Sequence, residues 1–195
     1  MSTLTRRTIL CALPCVGAVV LAALWARPTG AQTIRSSDIA TVFFIAKSDD
    51  RNRVDYGVRV NERCRPDGNA PMFGYWRRFE PNQPPLGDLN AMDRSVYGIA
   101  SQRVRTRAPG GTWIEMRLAA LSDERVLTLV RPREGGGCDA SARVTLQGHE
   151  LLLDHLFVQL GGLSGVDHVT VFGTDASTGR ERRVRLDPPR QLPGI

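Results

Sequence analysis

The chain has 195 residues, of which 42% are hydrophobic and 24% are charged, with a formal net charge of +6. Its first 31 residues carry Arg6, Arg7 and Arg27 and no acid, so the remaining 164 residues have a net charge of only +3. That length suits a single domain with its own core, and so small a cationic excess does not favour nucleic acid as a partner.

The N-terminal segment has the layout of a secretory signal peptide. A basic pair, Arg6 and Arg7, precedes the mostly apolar stretch Thr8–Ala26, and small residues end at Ala31. The alternative is a membrane anchor, because the apolar stretch approaches the ~20 residues that span a bilayer. Pro14 and the small-residue exit favour cleavage after Ala31 instead.

We therefore predict a cleaved signal peptide over residues 1–31 and one exported domain over 32–195. The domain is expected to be periplasmic or secreted and to have no membrane span after cleavage. Its core is predicted over about 41–187, followed by an extended C-terminal tail. The letters "TRRTIL" leave twin-arginine export open beside the general route.

Two cysteines remain after cleavage. Cys64 and Cys138 each lie in a turn-rich stretch, "NERCRPDGNAP" and "EGGGCDAS". In an oxidising compartment an even pair of this kind predicts one disulfide, whereas the lack of CxxC or CxxH spacing argues against zinc.

A period of two dominates the chain from Thr41 onward. The stretch "VDYGVRV" places Val54, Tyr56 and Val58 on one strand face, and "WIEMRLA", "RVLTLVR" and "ARVTLQ" follow the same rule. Short turn signals between these segments predict antiparallel strands, because a parallel crossover needs a dozen or more residues. The fold class is therefore mainly β, a single-domain antiparallel β-sandwich or flattened β-barrel, which alternation alone does not separate.

One segment has helical spacing. In "GDLNAMDRSVYG" the apolar residues Leu89, Met92 and Val96 recur at three and four positions. We predict one short helix over Asp88–Tyr97, with Asp88 as its N-cap and Gly98 beyond its C-terminus.

The stretch "KSDDRNR" is predicted to be the turn of the first hairpin. Its polar residues are those that hydrogen-bond their own backbone in turns. The charges left over are Lys47, Arg51 and Arg53 beside Asp49 and Asp50. The acids do not have the spacing, the central glycine or the closing glutamate of an EF-hand loop.

The stretch "MFGYWRRF" carries aromatic residues on both faces of a predicted strand. Tryptophan and tyrosine flanked by arginines form a common platform for ligand stacking. The alternative is that the aromatic residues belong to the hydrophobic core and that the aliphatic parts of the arginine side chains pack along it. The platform would consist of Tyr75, Trp76, Arg77 and Arg78.

A row of three arginines, Arg103, Arg105 and Arg107, lies on one face of the predicted strand "QRVRTR". Such a row can grip a carboxylate, phosphate or sulfated glycan through paired hydrogen bonds. It can equally pair with Glu115 and neighbouring acids across the sheet.

Neither catalysis nor a cofactor is indicated by any motif. His149, His155 and His168 do not form an HExxH pattern, and "GLSG" does not complete a GxSxG nucleophile elbow. We therefore predict no catalytic residues, no metal and no cofactor.

The stretches "VFFIAKSDDRNRVDYGVRV", "CRPDGNAPMFGYWRRFE", "VYGIASQRV" and "GGGCDASARVTLQG" resemble an uncharacterised domain-of-unknown-function family of exported bacterial proteins. The resemblance runs from about Val42 to Asp187. It implies a single exported domain, and it assigns no activity, ligand or catalytic residue.

Three classes of function remain. The first is a binding module for a small, anionic or glycan ligand; the others are a structural or protein-interaction domain of the cell envelope and an enzyme with an unrecognised site. For the binding module, Arg51 or Arg53 is expected to approach Arg77 or Arg78 beside Trp76. The competing expectation is that acids such as Asp55 neutralise these arginines.

Overall fold

The computed structural model describes residues 38–108, 111–121, 123–161 and 165–187. Strands dominate this part of the chain, as predicted. They are β1 (Ile39–Lys47), β2 (Asp50–Val58), β3 (Met72–Arg77), β4 (Leu86–Gly87), β5 (Ile99–Ala108), β6 (Gly111–Leu118), β7 (Arg125–Pro132), β8 (Cys138–Leu146), β9 (His149–Gly161), β10 (Gly165–Asp175) and β11 (Glu181–Leu186). A helix, α1 (Ala91–Tyr97), precedes β5, and a 3-10 turn, Ala119–Leu121, follows β6.

All these strands belong to one sheet that forks at β9. The order along the sheet is β4-β3-β2-β1-β9-β8-β7-β6-β5, and β10 and β11 continue from β9. Because β10 lies along one edge of β9 throughout, β8 and β1 must share the other edge, with β8 beside the first half and β1 beside the second. Two arms of four strands therefore diverge from β9.

The arms enclose one hydrophobic core, and over the described residues the sheet does not close into a barrel. Phe43 and Val54 from one arm belong to the same buried cluster as Ile114 and Val144 from the other. Across the remaining gap, the Gln102 carboxamide bonds both the N–H and the C=O of Met72, at 2.8 and 3.0 Å. One side chain thus links β5 to β3 where a barrel would have a strand ladder.

The prediction of antiparallel pairing needs one correction. Among the described residues every strand pair is antiparallel except β1 with β9, where Phe44 is the parallel partner of His155. The short-connection argument applies only to strands that follow one another, and β1 and β9 are separated by most of the chain. Nothing in the local spacing constrained their relative direction.

Helix α1 is shorter than predicted. It begins at Ala91 rather than near Asp88, because Asn90 is the N-cap: its side chain accepts the N–H of Asp93 at 2.8 Å, and Asp93 accepts the N–H of Asn90 at 3.0 Å. The predicted end before Gly98 is confirmed. In the described ranges, no helix has both the length and the apolar character needed to cross a bilayer.

The predicted disulfide is confirmed. Cys64 and Cys138 are bonded, with 5.3 Å between their Cα atoms, so the loop after β2 is fastened to the start of β8. Gly135, Gly136 and Gly137 precede Cys138, and all three have positive φ, which glycine adopts without steric cost. The predicted signal peptide lies outside the described residues, and so does the C-terminal tail after 187.

Candidate functional site

The first hairpin has the predicted turn. Lys47 and Asp50 are cross-strand partners, and Ser48 and Asp49 connect β1 to β2. Asp50 accepts the N–H of Asn52 at 2.9 Å and lies 3.4 Å from the Lys47 ammonium. Ser48 and Asp49 alone form the turn, whereas Lys47 ends β1 and the residues from Asp50 to Arg53 begin β2.

Arg53 and Arg77 are brought together, and a carboxylate lies between them. They are cross-strand partners on β2 and β3. Asp55 is fully buried on the outer face of β2, where it accepts from Arg53 Nε at 2.7 Å, from Arg77 Nε and from Thr41 Oγ1 at 2.9 Å. Asp55 thus accepts the Nε donor of both guanidinium groups, while Arg77 Nη2 donates to the Tyr75 hydroxyl at 2.9 Å.

The predicted aromatic platform is buried. Trp76 lies in the core, donates from Nε1 to Asp93 at 2.9 Å and packs edge-on against Tyr97. Tyr75 lies on the opposite face of β3, buried beside Asp55. The Arg78 guanidinium packs against Gly87 on β4. A Cβ atom at position 87 would lie 2.7 Å from this guanidinium. Among the predicted site residues of this region, Arg51 is exposed.

A second arginine cluster lies on the outer face of the other arm. Arg103 and Arg105 on β5 both reach Glu115 on β6, the first at 3.3 Å, and Arg125 on β7 reaches it at 2.9 Å. The Glu115 side chain is 11% exposed, whereas the three arginines are 67%, 48% and 52% exposed. The side chain of Arg107, the third member of the predicted row, lies outside the described residues.

Glu115 organises this cluster electrostatically. Hydrogen bonds from Arg105 and Arg103 hold the pKa of Glu115 below its usual value, against the opposing effect of desolvation. Three cations around one ionised carboxylate leave a local excess of two positive charges. Arg125 was not among the predicted site residues. It shares the outer face of β7 with Leu127 and Leu129, and only the pairing of β7 with β6 brings it to Glu115.

A groove of about 690 Å³ begins at this cluster and extends over β6, β7 and β8. Its lining residues are Arg105, Trp113, Glu115, Asp123, Glu124, Arg125, Leu127, Arg143, Val144, Thr145 and Glu150. We call it groove 1. Its lining combines an indole, an exposed leucine and charged groups of both signs, as is typical of ligand sites with a few placed polar groups.

Arg143 forms the far wall of groove 1. Its guanidinium carbon lies 5.9 Å from the centroid of the Trp113 ring, and Nη1 donates to Glu150 at 2.6 Å. Its Nε is buried and has no hydrogen-bond partner within the described residues. Buried donors are normally satisfied, so this atom is notable beside an open groove.

The histidines each pair with an acid. His155 and His168 contact the adjacent Asp154 and Asp167 at 2.8 and 2.7 Å. His149 contacts Asp175 at 3.0 Å. Within the described ranges, no group of three or more His, Cys, Asp or Glu side chains is arranged to hold a metal ion.

Comparison with protein families identifies one match. A family model described as Domain of unknown function (DUF4833) matches residues 43–185, which include every strand from β2 to β10 and most of β1 and β11. Neither a curated protein nor a solved structure matches the chain. The resemblance expected from the sequence is confirmed, and the chain belongs to the DUF4833 domain family.

Proposed function

We propose that this protein is a non-catalytic binding module for an anionic ligand, which occupies groove 1 with its acidic group at Arg105 and Arg125. The observation that carries the proposal is the convergence of three arginines on the recessed carboxylate of Glu115, two of which, Arg105 and Arg125, line that groove together with Glu115.

The cluster is suited to anion binding because its arginines are already held in place. Each guanidinium group pairs with Glu115 through part of its N–H donors, and about half or more of each arginine side chain is exposed. A guanidinium has five N–H donors, so donors remain for a ligand carboxylate or phosphate. Prior fixation by Glu115 lowers the side-chain entropy lost on binding. The excess of two positive charges belongs to the Glu115 cluster and not to the whole lining, so it favours an acidic group only at this end of the groove.

The rest of the groove restricts the ligand further. Trp113 and Leu127 offer apolar surface, which suits a ring or an aliphatic segment attached to the acidic group. Asp123 and Glu124 line the same groove and disfavour a second negative charge beside them. The ligand is therefore expected to carry its charge at the arginine end and neutral polar or apolar groups elsewhere.

We propose that binding takes place after export, in the periplasm or outside the cell. The proposal rests on the signal-like N-terminus and on the Cys64–Cys138 disulfide, which is typical of oxidising compartments. Protein recovered from its native host should begin at Gln32. A membrane-bound species that retains the first residues would contradict this.

Binding is tested with Arg105→Ala and Arg125→Ala, each measured by calorimetry against a panel of carboxylated, phosphorylated and sulfated compounds. Loss of a charge-assisted contact should weaken the best ligand of the panel about tenfold. The matched control is Arg131→Ala, which removes an arginine from the same face of β7, where it pairs with Asp139 outside the groove.

The control variant should bind as the unmodified protein does, and all three variants should unfold in the same range of denaturant. If the unmodified protein binds no compound of the panel, or if Arg131→Ala weakens binding as much as the other two variants, the proposed site is wrong.

A further inference from the structure

We propose that the ligand is a linear acidic oligosaccharide that runs across the strands from groove 1 into a second groove on β9, β10 and β11. The inference rests on the proposed function and specifies the class of ligand. It is carried by the register of the sheet, which joins the two grooves on one continuous face.

The outer faces of seven strands share one row of cross-strand partners. Each neighbouring pair in this row is a Cα partner pair in the sheet. The row is Arg103, Glu115, Leu127, Arg143, Leu152, Thr174 and Glu181. Glu115, Leu127 and Arg143 line groove 1. Leu152, Thr174 and Glu181 line the second groove. Arg143 and Leu152, which are partners, mark the boundary between the grooves.

The second groove has a volume of about 640 Å³. We call it groove 2. Its lining residues are Leu152, Leu153, Asp154, His155, Phe172, Gly173, Thr174, Glu181, Arg182 and Arg183. Like groove 1, it combines an aromatic side chain, an exposed leucine, arginines and carboxylates.

A stack of parallel rings forms one wall of groove 2. The His155 ring lies between Phe44 and Phe172, with centroid distances of 4.9 and 4.3 Å and interplanar angles of 5° and 7°. Arg53 extends the stack, 4.2 Å from the Phe44 ring centroid. Of these residues Phe172 and His155 line groove 2, and Phe44 and Arg53 on β1 and β2 support the two rings from behind.

The dimensions favour a chain over a compact molecule. Neighbouring strands lie about 4.8 Å apart, so the six steps from β5 to β11 span roughly 29 Å. A compact ligand would occupy one groove and leave the other without a role, whereas a linear chain of linked rings contacts both. Its direction would be across the strands, along the row from Glu115 to Thr174.

The lining chemistry favours a sugar chain over a peptide. A bound peptide commonly adds to a sheet edge by backbone pairing, which is not available to a chain that crosses the face of a sheet. Carboxylates such as Glu150, Asp154 and Glu181 accept hydrogen bonds from hydroxyl groups but repel a dense polyanion. Hydroxyl-rich rings with spaced carboxylates would satisfy both the acids and the arginines of this face.

The experiment is a length series of oligouronides, from the monomer to the octamer, titrated into the mature protein by calorimetry. We expect affinity to rise at least tenfold from the shortest to the longest. Arg183→Ala, at groove 2, should weaken the octamer about fivefold and leave the monomer unchanged. Arg180→Ala is the matched control: it removes an arginine from the turn of the same hairpin, outside the lining, and should change neither.

The outcomes separate this inference from the proposed function. Equal affinity for all lengths, or tighter binding of an acidic peptide of matched charge, would overturn the acidic oligosaccharide and leave groove 1 as a binding site for smaller anions. If other anions bind and need Arg105 but no uronide binds, the acidic oligosaccharide is likewise overturned and groove 1 remains a site for smaller anions. An absence of all anion binding would remove the proposed function itself.

Discussion

Asp55 and Glu115 are carboxylates on outer sheet faces, and each holds arginines from neighbouring strands. Asp55 is fully buried with two arginines on one side, whereas Glu115 is at the edge of a groove and its three arginines remain largely exposed. The first arrangement fastens β2 to β3. The second can still offer guanidinium donors to a ligand.

Asp55→Asn should destabilise the protein by about 2–3 kcal/mol. The substitution removes the counter-charge of two half-buried arginines, which is less severe than breaking a fully buried pair but far more than losing a surface pair. Urea unfolding measures the change. Asp139→Asn, whose partner Arg131 is about half exposed, is the control and should cost at most about 1 kcal/mol. Equal effects of the two variants would contradict a stabilising role for the buried site.

Glu115 should make stability sensitive to acid. Arg105 and Arg103 lower the pKa of Glu115 in the folded protein. The ionised Glu115 therefore stabilises the fold at pH values above its unfolded pKa, near 4.5, and this stabilisation is lost as the pH falls through the folded pKa. As the pH falls below about 4.5, the free energy of unfolding should decrease less for Glu115→Gln than for the unmodified protein. Denaturant unfolding at a series of pH values tests this, and parallel pH profiles for the two proteins would contradict it.

At the scale of the element, helix α1 is maintained by its cap and its packing rather than its length. The capping box between Asn90 and Asp93 satisfies N–H groups that a seven-residue helix cannot bond internally. Asp93 also accepts from Trp76 Nε1, and Tyr56 donates its hydroxyl to the carbonyl oxygen of Tyr97. The helix is thus fastened to the core at both ends.

Asn90→Ala should lower the free energy of unfolding by about 1 kcal/mol, because it removes the acceptor for the Asp93 N–H. Met92→Ala is the control on the same helix. Its side chain is 76% exposed, and the expected change is within about 0.5 kcal/mol. Thermal or urea unfolding distinguishes the two, and a cap variant as stable as the control would show that packing alone holds the helix.

At the scale of the molecule, the fork at β9 and the disulfide hold the two arms together. Cys64 follows the arm that contains β2, and Cys138 begins β8 in the other arm. The bond therefore joins two parts of the sheet that diverge from one strand.

Replacing both cysteines with alanine should destabilise the protein by up to about 4 kcal/mol, the loop-closure value for a loop of this length in the unfolded chain. The residues lie 74 positions apart, so the unfolded state gains considerable entropy when the bond is absent. Urea unfolding of the variant and of the reduced protein should agree. A loss well below 1 kcal/mol would mean that the unfolded chain is already compact without the bond.

The sequence by itself determined the strand-rich fold class, the first hairpin and the cysteine pair. Alternation in "VDYGVRV" and turn chemistry in "KSDDRNR" act over a few residues, so they can be read locally. Once the N-terminal segment is set aside, Cys64 and Cys138 are the two cysteines left, so only one pairing between them is possible. The start of α1 was misplaced by three residues, because Asp88 and Asn90 are both good caps and only the contacts of Asp93 select between them.

Only the tertiary structure decided the fork, the parallel pairing of β1 with β9 and the composition of groove 1. Each depends on which strands become neighbours across a long separation in sequence, and hydrophobic alternation is the same for any partner. Trp76 shows the consequence: its sequence neighbours suggested a ligand platform, yet β2 and α1 bury it. Arg125 shows the reverse, because the pairing of β7 with β6 places it beside Glu115 and so at the mouth of the groove.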